Sequence, residues 1–228
     1  MIRFTEKLDK TEGRELSEQF SFKEIKPILK TLDSSSEDFW DDVFCEENHS
    51  DEIYFSDEEI ISEIYECDPS KFQFDINIDD KSIQECLSEF DSNKWDNLDD
   101  TQKIEIVERF KVLLCEKLDI NEIPPLVIFK DEKNICGAYN GQSNTLELNR
   151  NILDNPKEVI DTIAHETMHA YQYQQACIGE TRQDILYAIN FLNYIEPIQI
   201  DGNYINFNEY QNQLLEVEAR TFAGIFRN

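Results

Sequence analysis

The chain is short of positive charge: 21 of its 228 residues are Lys or Arg, against 49 Asp or Glu, a formal net charge of −28. Such a surface repels phosphate, which argues against direct binding of nucleic acid or of an anionic membrane. Long apolar runs are missing as well, since no stretch reaches the roughly 18 residues of a membrane-spanning helix. The opening Met1-Ile2-Arg3-Phe4-Thr5-Glu6 lacks the basic region and apolar stretch of a secretory signal. The expected location is therefore cytoplasmic, in the cell that makes the protein or in one into which it is delivered. Close cysteine pairs are absent too. Cys45, Cys67, Cys86, Cys115, Cys136 and Cys177 stand far apart, with no metal-ligand or redox spacing, and are read as reduced, mostly buried thiols. Histidine is scarce, with three in the whole chain.

What is present is enough apolar material, 40%, for a buried core, in a length that fits two small domains or one domain with an appendage. The acidity is concentrated. From Leu32 to Asp100 there are 24 acidic and three basic residues, whereas the other 159 residues carry 25 and 18. Residues 1–92 nevertheless hold twelve aromatic side chains, from Phe4 to Phe90, which gives that half something to bury. It is expected to be an acidic, partly helical recognition or regulatory module that binds a basic protein partner or covers the active site. Residues 93–228 form the second domain.

Beyond Asn93 the hydrophobic periodicity becomes regular. Thr101 to Leu118 carries a helical stripe (Ile104, Val107, Phe110, Leu114), ended by Pro124-Pro125. Leu126-Val127-Ile128-Phe129 reads as a short buried strand. Asn140-Gly141 marks a turn, and Thr145-Leu146-Glu147-Leu148 alternates like a strand with one exposed face. Asn155 as cap, Pro156 in the first turn and Glu158 reaching back predict a helix to about Cys177, with Gly179 just past its end. A helix over Thr181 to Leu192, a hairpin at Asp201-Gly202 and a last helix from about Asn208 to Phe226 complete an α+β order.

Two of the three histidines stand in Ala164-His165-Glu166-Thr167-Met168-His169, inside the helix that begins at Pro156. Residues four apart on a helix differ by only about 40° in direction, so His165 and His169 share a face and can bind one Zn²⁺ through nitrogen. Glu166 points about 100° away, toward a water on the metal rather than the metal itself. Hydrolysis needs that division: the ion acidifies the water and the carboxylate takes its proton. Other divalent ions fit such donors too.

An open catalytic site needs a third protein ligand. His49 lies far off in the acidic half, so a carboxylate of the last helix is expected: Leu214-Leu215-Glu216-Val217-Glu218-Ala219-Arg220-Thr221-Phe222-Ala223. Periodicity does not choose between Glu216 and Glu218. Side-chain size favours Glu216, which neighbours Ala219 and Ala223 and so permits close helix approach; Glu218 stays the alternative.

These two blocks, with Thr162-Ile163-Ala164 before the first and Ala170-Tyr171-Gln172 after it, resemble the zincin metallopeptidases in their glutamate-ligand branch, the gluzincins. The likeness runs from Trp95 to the end and extends to small domains of bacterial toxins, effectors and intracellular regulatory proteases. It implies a small mixed sheet, an active-site helix and a C-terminal ligand helix. Through the Glu-x-x-Ala stretch it also carries the ligand role onto Glu216. Many relatives place Asp or Asn four residues after that ligand to orient a histidine; here Arg220 stands there, so Asp161 or Asn212 is expected to do so. Some gluzincins steady the oxyanion with an extra histidine. With His49 poorly placed, Tyr210 and Tyr204 are the first candidates for that task, followed by Arg220 and Arg182. The 46 residues between His169 and Glu216 leave room for a substrate-shaping insertion, and the strand at Thr145 to Leu148 is expected to offer an edge to an extended substrate.

The leading expectation is a zinc-dependent endopeptidase acting on a protein substrate inside a cell, with Glu166 as general base. The alternatives are an acidic interaction or inhibitor protein, a nucleic-acid mimic or partner-binding module in which the zinc domain is scaffold, and a zinc hydrolase of non-peptide amides.

Overall fold

A computed structural model of the protein describes residues 62–130, 135–200 and 203–227, together with a backbone pairing of 20–21 with 54–55. His49, Cys45, most of the acidic half and the turn at Asp201-Gly202 lie outside the described residues. Two short strands, β1 (Phe20–Ser21) and β2 (Tyr54–Phe55), pair antiparallel there. Helices and small sheets intermingle along the rest, an α+β arrangement. The chain forms two compact units, Met1–Cys67 with Gln175–Glu216, and Asp68–Gln174 with Val217–Asn228.

In the second unit the acid excess has a local use. Asp80 and Asp91 cap the short helices α1 (Lys81–Leu87) and α2 (Ser92–Trp95), and Asp99 forms a capping box with Gln102 at the start of α3 (Asp100–Lys117). Each satisfies amide donors that the first helical turn leaves open. Lys117, then Ser82, hold the Asp80 carboxyl well below the usual carboxylate range. Residues 68–92, acidic by composition, thus belong to this unit; Ile83, Cys86 and Phe90 join its core.

The sheet has the order β3 (Leu126–Phe129), β5 (Thr145–Asn149), β4 (Gly137–Asn140). The central β5 runs parallel to β3, with Leu126 opposite Leu146, and antiparallel to β4, with Gly137 opposite Leu148. Two expectations change here. Leu126–Phe129 is an edge strand with Val127 42% exposed, not a buried one. Thr145–Leu148, expected to offer an edge to substrate, is paired on both sides. The tight turn between β4 and β5 is held by Asn140, whose Oδ1 accepts from the amides of Gln142 (3.0 Å) and Ser143 (3.2 Å).

Helix α4 (Pro156–Ile178) starts at Asn155, whose Oδ1 accepts from Glu158 N. It stops where Gly179 turns left-handed at φ 66°. The Glu158 carboxylate, expected to reach back to the cap, accepts from Cys136 Sγ instead. Ile163, Ala164 and Met168 of α4 share one core with Trp95, Phe110, Leu146, Leu148, Ala219 and Phe222. Trp95 anchors it, stacked on Phe90 at 4.9 Å and donating its indole N–H to Leu153 O at 2.7 Å.

In the first unit α5 (Arg182–Leu192) opens with a Thr181/Asp184 capping box, and β6 (Gln199–Ile200) pairs antiparallel with β7 (Asn203–Tyr204) as the expected hairpin. The last helix is not continuous. It breaks at Gln213 (φ −71°, ψ 150°) into α6 (Phe207–Asn212) and α7 (Leu214–Gly224). Gln213, fully buried, trades helical hydrogen bonds for others: Nε2 donates to the carbonyls of Ile195 (2.9 Å) and Tyr210 (3.0 Å). Its Oε1 accepts from Ile195 N (3.0 Å) and Asn190 Nδ2 (3.1 Å). Asn190 Oδ1 in turn accepts from Leu215 N at 3.0 Å and so opens α7 from outside it. Among the described residues no helix is long and apolar enough to cross a membrane.

Candidate metal centre

Four residues apart on α4, His165 and His169 turn their rings nearly perpendicular (87°) and bring Nε2 to within 3.1 Å of Nε2. A ligand oxygen of Glu216, 1% exposed, completes a group whose donor atoms all lie within 4.8 Å of one another. Two imidazole nitrogens at about 2.0 Å from a tetrahedral Zn²⁺ stand about 3.3 Å apart, so both the donor set and the spacing fit that ion.

The imidazole tautomer follows from a neighbour that the sequence reading passed over. Gln172, fully buried, donates from Nε2 to Glu218 Oε2 at 2.9 Å, because a carboxylate accepts only. Its Oε1 therefore faces His169 Nδ1, at 2.8 Å, and takes that nitrogen's proton in a hydrogen bond. His169 Nε2 is left with its lone pair toward the group. Gln172 thus does what was expected of Asp161 or Asn212. Asp161 instead pairs with Arg227 at 2.5 Å. The same contact separates the two glutamates of α7: Glu218 is held by Gln172, and Glu216 stands with the histidines.

No family model matches the chain, and no curated protein or solved structure matches it.

Glu166 is 9% exposed and lies against β4, its Cγ 3.4 Å from where a Cβ on Gly137 would stand. Beside it the Cys136 thiol is pushed up to about 11, first by burial, then by Glu158 and by the charge of Glu166. Without a metal it stays a neutral thiol at pH 7.

The second residue that the sequence reading missed is Tyr194, in the long gap between the motifs. Its hydroxyl donates to Glu216 Oε1 at 2.5 Å. Burial first, then the facing Glu216 carboxylate, push that phenol well above its ordinary range, so it remains a donor. Tyr210, expected at the oxyanion, packs edge-on against Tyr194 at 6.2 Å. Tyr204, 47% exposed, stacks on Phe207. Arg182 pairs with Glu63. Gln172 had a sequence signal, a polar residue one turn after a ligand histidine; Tyr194 had none.

Proposed function

We propose that the protein is a zinc-dependent endopeptidase of the gluzincin kind, hydrolysing a polypeptide inside a cell with Glu166 as general base. The observation that supports this best is the convergence of His165, His169 and Glu216, with a buried glutamate one residue along from the first histidine. His165, His169 and Glu216 would hold the Zn²⁺, which when bound would supply Lewis acidity toward a carbonyl and a water of pKa near about 7. Glu166 takes the proton of the attacking water and returns it to the departing amine. Gln172 and Glu218 keep His169 in the tautomer that ligates. The strand offered to an extended substrate is β4 rather than β5. Its outer edge has no strand partner among the described residues, and its first residue, Gly137, adjoins Glu166.

The test is comparative terminal proteomics of cells expressing wild type or Glu166→Gln, with zinc content measured on both purified proteins. Equal zinc with new protein termini only in the wild type is the expected result. Equal termini in both would remove Glu166 as the base. The same termini in cells without either protein would remove the peptidase.

A further inference from the structure

We propose that Tyr194 is a positioning residue of the metal centre, holding one oxygen of Glu216 so that the carboxylate presents a single oxygen to the cation. This rests on the metal-centre reading above. A glutamate side chain has several rotatable bonds and two equivalent oxygens, and by itself it slides between one- and two-oxygen ligation. A donor fixed on one oxygen removes that freedom. The Tyr194 hydroxyl meets Oε1 at 2.5 Å, and its only proton is spent there, which makes it a positioning group rather than an oxyanion donor.

The backbone around the pair holds the two side chains in place. On one side of Tyr194, the Asn193 amide bonds back to the carbonyls of Ile189 and Asn190. On the other, both backbone polar groups of Ile195 are taken by the Gln213 amide. Gln213 also bonds Asn190, and Asn190 opens α7 at Leu215, the residue before Glu216. The phenol and the carboxylate therefore hang from one small hydrogen-bonded frame built on the buried Asn190 and Gln213. Tyr210 behind the Tyr194 ring limits its rotation. The arrangement parallels Gln172 on His169: two ligands, each turned by a hydrogen bond from outside the set.

The experiment uses the full chain as wild type, Tyr194→Phe and, as the same chemical change on an exposed ring, Tyr204→Phe. Zinc affinity is read by competition with a chromogenic chelator, coordination by the visible spectrum of the cobalt(II)-loaded protein, and folding by urea unfolding after metal removal. Tyr194→Phe is expected to weaken zinc by roughly 10- to 100-fold and to change the cobalt bands, with a metal-free unfolding midpoint close to wild type. Tyr204→Phe should shift affinity less than about threefold. Unchanged zinc affinity and cobalt spectrum in Tyr194→Phe would overturn the role. So would a metal-free midpoint lowered in proportion to the affinity, since that marks a structural tyrosine. A wild type that takes up no zinc refutes the centre itself, and this role with it.

Discussion

Gly137 stands where β4 passes close to α4, and the cost of filling that space can be worked out. A Cβ there would lie 2.5 Å from Thr162 Cγ2 and 2.8 Å from the Glu147 carbonyl oxygen, where ordinary contact begins at 3.4 Å. The Thr162 methyl can yield; the carbonyl belongs to the neighbouring strand and cannot move without pulling β4 from β5. Overpacking of this kind costs about 1–3 kcal/mol. In a chain of this size that lowers the melting midpoint by roughly 2–4 °C per kcal/mol. Gly137→Ala is therefore expected to melt about 2–12 °C below wild type. The double variant with Thr162→Ser, which deletes the clashing methyl, should recover part of that loss. Thr162→Ser alone is the baseline, since a buried methyl is itself worth about 1 kcal/mol. The remainder belongs to the carbonyl contact. Thermal melts followed by circular dichroism decide it. A Gly137→Ala midpoint equal to wild type, or a double variant no better than the additive sum of the singles, would refute the close approach of β4 to α4.

The glutamates of α7 should separate by metal content: Glu216→Ala is expected to lose zinc, and Glu218→Ala to retain a full equivalent at lower affinity, measured by mass spectrometry of the purified proteins. The opposite pattern would exchange their roles. With its pKa raised to about 11, metal-free Cys136 should react with iodoacetamide at a rate that climbs about tenfold per pH unit from 7 to 9 without levelling. An ordinary thiol levels near 8.5. Glu158→Gln removes the acceptor and charge that raise the thiol, so labelling should speed up; a plateau near 8.5 in the parent would contradict the burial.

The parts of the fold that sequence made legible are those whose causes are local. Asn155, Thr181 and Gly179 act on the turn next to them, and the helix boundaries they imply agree with the structure to within a residue; the hairpin strands beside Asp201-Gly202 pair as expected. The parts that were not legible have distant causes. Nothing in the neighbourhood of Gln213 breaks a helix; its partners Ile195 and Asn190 lie 18 and 23 residues away. The alternation at Thr145–Leu148 fits an edge and a central strand equally, and only the parallel partner β3 distinguishes them. Within the candidate centre, the paired histidines follow from a spacing of four, whereas Tyr194 reaches Glu216 across 22 residues. Hydrogen bonds of that span leave no period to read.

The interruption at Gln213 also bears on how the segment before it can change over generations. In an unbroken helix every inserted or deleted residue would swing all that follows by about 100°, taking Glu216 out of reach of the imidazoles. Here the rotational phase of α7 is set afresh by Asn190 on a different helix. A change of length in the hairpin of β6 and β7 need not turn α7, whereas Tyr210 of α6 stays tied to Gln213 and Tyr194.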